Sequence, residues 1–262
     1  TYRFTMYAPD GGGDAAKLTI TQTGEVQNYD LQICGTQVTP DNCGDLTIFD
    51  GVSGTVKYDP TNKVLTLKDA IISSTTTNAI VSNIDGLTIN VIGTNSLITT
   101  DKATISFRRP LTITGGGTLN AKSGSDCAVY ANETNLTINN CTVNAESRAY
   151  AIAGNDGTRE TLTINNAMVT AEGKENGSIC DFANVMLVGC DIIQPAGAAF
   201  DSSLHGIALN GAIVTSKVII GDPSSIQAPV IDAAAKRGVY TLSGVQLKTD
   251  VKDLPKGIYV VN

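Results

Sequence analysis

One short phrase recurs along this chain and limits its fold more than any other feature. It alternates aliphatic residues with, most often, threonine. The copies are Val64-Leu65-Thr66-Leu67, Gly86-Leu87-Thr88-Ile89, Pro110-Leu111-Thr112-Ile113, Asn135-Leu136-Thr137-Ile138 and Thr161-Leu162-Thr163-Ile164. Two degenerate copies follow, Asn184-Val185-Met186-Leu187 and Gly206-Ile207-Ala208-Leu209. From each first aliphatic to the next, the steps are 22, 24, 25, 26, 23 and 22 residues. Side chains alternate across a strand, so the aliphatics of each phrase face one way and the threonine faces the other.

Each copy continues in the same manner. A small residue follows (Ala70, Cys141, Ala167, Cys190, Ala212), and two positions later a β-branched one (Ile72, Val143, Val169, Ile192, Val214). A third short run precedes the next phrase, as in Ala79-Ile80, Thr104-Ile105, Ala128-Val129, Ala151-Ile152 and Ser178-Ile179. A unit of three short strands cannot bury its apolar side alone. Stacking the copies turns each position into a ladder and builds a continuous core. The pattern predicts an all-β chain, a right-handed parallel β-helix of about seven coils, since parallel crossovers are right-handed. A leucine-rich-repeat horseshoe lacks its helical half here, and a propeller needs blades of about 40 residues.

A β-helix has open sheet edges that must be covered. Residues 1–58, with strands expected at 3–7, 17–21, 29–33 and 46–49, read as an N-terminal β cap. The helix itself is expected over 59–221, entered through the turn Tyr58-Asp59-Pro60-Thr61-Asn62-Lys63. Residues 222–237, rich in Pro, Ser and Ala, read as a linker, and 238–262 as a small C-terminal β module.

Two segments resemble known families. Gly238-Val239-Tyr240-Thr241-Leu242-Ser243-Gly244 and Leu254-Pro255-Lys256-Gly257-Ile258-Tyr259-Val260-Val261 resemble the type IX (Por) sorting domain of Bacteroidetes proteins. The copy reads as truncated, because Asn262 comes before the basic and apolar segment that usually follows. The stretches Cys34-Gly35-Thr36-Gln37-Val38-Thr39, Val56-Lys57-Tyr58-Asp59-Pro60 and Leu65-Thr66-Leu67 are similar to a family of gut-bacterial surface β-helix proteins described as carbohydrate-binding or adhesin-like. The resemblance implies an extracellular or cell-surface location and a polysaccharide or host-surface glycan as partner.

Composition narrows the function. With 18 Lys and Arg against 25 Asp and Glu, the net charge is −7, which argues against a nucleic-acid partner. No apolar run approaches the length of a membrane span. The six cysteines are even in number, as extracellular chains often have them. Cys34 and Cys43 flank an apparent turn, which leaves both a disulfide and two thiols open. Cys141 and Cys190 fall in one inward slot two coils apart, too far for a disulfide, and read as buried thiols. Cys127 and Cys180 read as packing residues of the third strand.

Catalysis finds little support. Polygalacturonase-like segments are absent, and the lone His205 lies at a turn with no partner spacing. Adjacent coils juxtapose some of the turn acids, such as Glu146 with Glu172, which both follow the second strand, and such a pair would raise a pKa or bind Ca²⁺. Calcium is thus the one cofactor considered. Asp10-Gly11-Gly12-Gly13-Asp14 is a loose match to a calcium loop and reads as a turn. Binding candidates are the aromatics Phe107, Tyr130 and Tyr150 and the basic residues Arg108, Arg109 and Arg159. The long turn 154–160 adds Asn155 and Asp156. Phe107 follows Ile105 by two residues and Tyr130 follows Val129 by one, so alternation separates their faces. The leading expectation is a non-catalytic glycan-binding or adhesin-like β-helix. A lyase or hydrolase of acidic polysaccharide using Arg108 and Arg109, and a structural spacer, are the alternatives.

Overall fold

The computed structural model describes residues 27–222 throughout. Outside them it describes the backbone of the strands Tyr2–Tyr7, Lys17–Gln22, Val239–Tyr240, Gln246–Leu247 and Val260–Val261. The glycine run 10–14, most of the linker and most of the tail motif lie outside the described residues. The chain divides into two units, Thr1–Pro223 and Ser224–Asn262. In the second, the three short strands pair antiparallel with Val239–Tyr240 in the middle. In the first, Tyr2–Tyr7 and Lys17–Gln22 form an antiparallel pair.

The repeats stack as a parallel β-helix. The first sheet runs through Leu87–Ile92, Leu111–Thr114, Leu136–Asn139, Thr161–Asn165 and Asn184–Val188. The second runs through Thr94–Thr99, Thr118–Ser123, Thr142–Ser147 and Met168–Gly173. The third runs through Ile80–Ser82, Ile105–Phe107, Cys127–Ala131, Tyr150–Ala153 and Gly177–Cys180. The first coil differs: its eleven-residue strand Val64–Ser74 crosses the corner and pairs with both the first and the second sheet. Strand Val52–Asp59 pairs with it antiparallel and closes that edge. The turn at 60–63 is built as expected, with the Asp59 carboxylate accepting from the Thr61 and Asn62 amides.

The aliphatic columns of the phrase all point inward. Leu65, Leu67, Leu87, Ile89, Ile113, Leu136, Ile138, Leu162 and Ile164 are fully buried. Burying a side chain of this size stabilises by about 1.5–3 kcal/mol. Asn and Gly find their place at the corner between the first and second sheets. Asp69, Gly93, Gly116, Asn140, Asn166 and Gly189 occupy it in successive copies, all with positive φ. Glycine enters that region without strain and Asn and Asp tolerate it. The corners also bond to each other, Gly116 N to Asn140 O at 3.0 Å and Asn140 N to Asn165 O at 3.0 Å.

Four expectations need correction. The first copy is offset: Leu65 pairs with Ile89 rather than Leu87, and Thr66 with Asn90 rather than Thr88. A shift of two keeps every face, so the core is unaffected. It does, however, place Ala70 beside the slot of Asn95 instead of Cys141 and Ala167. Second, about five coils are complete, not seven. The sixth copy supplies Asn184–Val188 to the first sheet. Its next strand, Asp191–Gln194, then pairs with Val218–Gly221, which lies antiparallel on Met168–Gly173. Third, the seventh copy is a meander of Ala199–Asp201, Gly206–Leu209 and Ala212–Ile213. Asn210 and Gly211 both have positive φ, the two-residue hairpin turn that Asn-Gly favours, and Ala212 is exposed in consequence. Antiparallel pairing at this end stops the parallel ladder from continuing. Fourth, residues 46–49 form a turn instead of a strand. Asp45 accepts from the Thr47 amide at 3.0 Å and hydroxyl at 2.6 Å, while Leu46 anchors the turn in the core.

Candidate functional site

The outer face of the third sheet carries a hollow of about 310 Å³ lined by Asp126, Cys127, Tyr130, Tyr150, Ala153, Gly154, Asn155 and Asp181. Register explains how these residues meet. Cys127 stands beside Tyr150 and then Gly177, while Tyr130 stands beside Ala153 and then Cys180. Cys127 and Ala128 are both buried but join different clusters. The thiol packs outside the helix with Ala103, Ala153 and Cys180, while Ala128 enters the main core. Tyr130 and Tyr150 lie against this outer cluster, and so does Ile213 from the C-terminal meander. The small residues Ala153 and Gly154 leave the floor low beside the two tyrosines. That alternation of large and small side chains makes the concavity.

Hydrogen bonds leave several groups in the hollow uncommitted. The Tyr130 hydroxyl donates to Asn155 Oδ1 at 2.6 Å, so the Asn155 amide nitrogen is free to donate. Asp126 Oδ1 accepts from the Cys127 amide at 2.8 Å. Asp181 Oδ2 accepts from the Cys180 thiol at 3.6 Å. Neither aspartate has an ion pair among the described residues. Burial holds the Asp181 carboxyl above the usual carboxylate range, and Glu160 and Asp156 push the same way against Cys180 and His205. Burial, reinforced by Asp126 and Asp181, drives the Cys127 and Cys180 thiols well up. They therefore stay protonated at neutral pH and serve neither as nucleophiles nor as thiolate ligands. Burial likewise raises both tyrosines, which remain phenols.

The long turn 154–160 forms one rim. Its Asp156 carboxylate accepts from the Thr158 amide at 3.0 Å and hydroxyl at 2.6 Å. The buried Glu160 carboxylate accepts from the Asn155 amide at 3.1 Å and the Arg159 amide at 3.0 Å, fixing the turn from inside. His205 sits at positive φ under the turn, with its Nδ1 buried and without a partner among the described residues. A Cβ on Gly157 would lie 2.4 Å from the His205 ring, so only glycine allows this seat.

The sequence candidates separate. Tyr130, Tyr150 and Asn155 line the hollow. Asp156 is exposed on the rim turn, and Arg159 points to Glu133 at 3.7 Å. Arg108 is exposed and near enough to lower the Tyr130 hydroxyl's pKa against the dominant effect of burial. Arg109 is exposed and has no side-chain partner among the described residues. Phe107 is fully buried in the core and is no stacking plate. It shares the inward face of Ile105, as alternation requires. Asp126 and Asp181 were missed as lining residues. Asp181 has positive φ just after its strand, and only the stacking brings it beside Gly154 and into the hollow.

Glu146 and Glu172 do meet, as register partners in the second sheet. Glu146 is not raised there: although burial pushes its carboxyl up, Lys174 at 3.2 Å and Lys122 at 3.3 Å outweigh it and leave it below its usual range. Both glutamates line a second depression of about 280 Å³ with Ser96, Asn120, Asn144 and Lys217. Among the described residues, no group of three His, Cys, Asp or Glu is arranged to hold a metal ion. The six cysteines are free thiols. Cys141 and Cys190 are buried and donate to the equivalent carbonyls of Ile113 at 3.6 Å and Ile164 at 3.4 Å. No helix among the described residues is long and apolar enough to cross a membrane.

No family model matches the chain, and neither a curated protein nor a solved structure does. What the structure itself establishes is an all-β chain whose repeats form a parallel β-helix.

Proposed function

We propose that this is a non-catalytic, extracellular glycan-binding or adhesin-like β-helix, with the tyrosine-walled hollow as its carbohydrate seat. One observation carries the reading: two half-buried tyrosines, a free amide and two carboxylates converge on one hollow of an otherwise regular stack. Sugar rings offer an apolar C–H face to aromatics and hydroxyls to amides and carboxylates, which is the mix a small ligand site needs. The protonated state of the two buried thiols speaks against nucleophilic chemistry there. On this reading the chain is one of the Bacteroidetes surface β-helix proteins, and residues 238–262 are its sorting-domain-like module. Retention on an array of pectic, mucin, plant and free-amine (chitosan-type) polysaccharides tests the binding, with Tyr150→Ala expected to weaken it. If the chain is retained on none of them, the reading fails.

A hydrolase is the second reading. Asp126 and Asp181 line the same hollow, and burial raises the Asp181 carboxyl in the direction a general acid needs. Release of reducing ends from any of these polysaccharides, lost in Asp181→Asn, would favour it over simple binding.

A further inference from the structure

We infer that the hollow on the third sheet selects a cationic amino sugar, a hexosamine unit with a free ammonium, over a uronic acid or an N-acetylated sugar. The inference rests on the glycan-binding reading and names its ligand class. Size and walls set the first condition. At about 310 Å³ the hollow lies at the small end of ligand sites, and Tyr130 and Tyr150 flank it. It suits one ring with an apolar face to lay against a phenol.

Charge sets the second condition. The lining holds Asp126 and Asp181 and no Lys, Arg or His. Asp126 accepts from the Cys127 amide and engages its thiol, Asp181 Oδ2 accepts from the Cys180 thiol, and neither carboxyl has an ion pair among the described residues. The two act on a common neighbour, the Cys127 sulfur, so they face the same small space. No cation stands in the lining itself, although His205 under the rim turn acts on Asp181 against burial. Arg159 is turned to Glu133, and Arg108 lies on the Tyr130 side outside the lining. Glu160, buried behind the rim turn, adds a third negative charge.

A uronate entering this space meets like charge in a partly desolvated site. An ammonium meets two acceptors of opposite charge, and charge-assisted hydrogen bonds are about twice as strong as neutral ones. The Asn155 side-chain amide remains to contact the ring hydroxyls, while the Tyr150 hydroxyl is shared with Asn176. N-acetylation removes the positive charge and adds bulk where the carboxylates converge.

Binding of the full chain to glucosamine tetramer, N-acetylglucosamine tetramer, galacturonate tetramer and spermine, each at low and high salt, tests this. The free amine is expected to bind at least about tenfold tighter than its acetylated form, with no detectable galacturonate binding. Asp126→Asn and Asp181→Asn should each weaken the glucosamine oligomer about tenfold and leave the acetylated one unchanged. Tyr150→Ala should weaken both sugars. Thermal melts confirm that each variant is folded. Equal or tighter binding of the acetylated or galacturonate oligomer, or aspartate variants with unchanged affinity, overturns the charge selection while the glycan reading stands. Spermine binding as tightly as the amino sugar, and insensitive to Tyr150→Ala, also overturns it, because a ring would not be read. No binding in any sugar arm defeats the glycan reading and this inference together.

Discussion

Asn95 offers the sharpest test of how the coils are held together. It is fully buried at an inward position, opposite Leu119 and next to Ala70. Its Oδ1 accepts from the Ala70 amide at 2.9 Å, and its Nδ2 donates to Ile92 O and Thr118 O, both at 3.2 Å. One side chain thus joins three successive coils. Ala70 falls in the gap between the two ladders of strand Val64–Ser74, where no register partner serves its amide. Three bonds at about 1 kcal/mol net each give about 3 kcal/mol for Asn95→Ala. For a protein of this size that is a fall in Tm of about 6–12 °C. Asn95→Leu repeats the apolar residue of the next coil and regains about 1.5 kcal/mol by burial, yet leaves the Ala70 amide orphaned. It should remain about 1–2 kcal/mol below the wild type. Asn95→Asp keeps the acceptor but loses both donors and sets a charge against two carbonyls, so its deficit should grow from acid to neutral pH. Thermal melts monitored by circular dichroism read all three. An Asn95→Leu variant as stable as the wild type would show that the amide adds nothing beyond the apolar ladder, and the reasoning would fail.

Two further outcomes follow from the same geometry. Phe107→Ala should cost about 3–5 kcal/mol, because the ring is wholly inside the core. Glycan retention measured below its lowered Tm should stay unchanged, whereas a loss of retention in the folded variant would return Phe107 to the site. Asp181→Asn should raise stability at neutral pH and do so least in acid. The carboxyl's folded pKa is raised, so the native state holds a proton longer than the unfolded chain, and stability falls as pH rises through that window. Asn also accepts the positive φ at this position more easily. A pH series of melts in which the gap between variant and wild type is flat or reversed would contradict this.

The architecture was readable because its signal repeats. Period-two alternation within a phrase and a period near 24 between phrases are independent, and they converge on inward Leu and Ile columns. The corner residues follow from backbone chemistry, since only Gly, Asn and Asp serve a positive φ cheaply. Misreadings came where local rules competed. Gly206-Ile207-Ala208-Leu209 carries the phrase, but the Asn210-Gly211 that follows is a hairpin turn, and the hairpin prevailed. The first copy slipped by two because strand Val64–Ser74 passes straight through the corner that later coils break. The site was less legible. Tyr130, Tyr150 and Asn155 lie about 20 residues apart or in an outgrown turn, and their meeting was foreseeable. Asp126, Asp181 and the outer thiols were not, because two adjacent residues, Cys127 and Ala128, are both buried, against different clusters. Simple alternation assigns one of them to solvent.

The long strand Val64–Ser74 has a consequence for how the molecule is made. Its partner Val52–Asp59 is joined to it by a four-residue turn, so this hairpin closes over a short loop. Each parallel pairing after it spans roughly two dozen residues and bears a larger closure entropy. The hairpin is therefore cheaper to form than any of the parallel pairings, and it presents an edge for both of the sheets that follow. A chain emerging from its N-terminal side would lay each new coil on a finished template, in order. Assembly would then be vectorial, and the antiparallel strands near residue 220 would act as its stop.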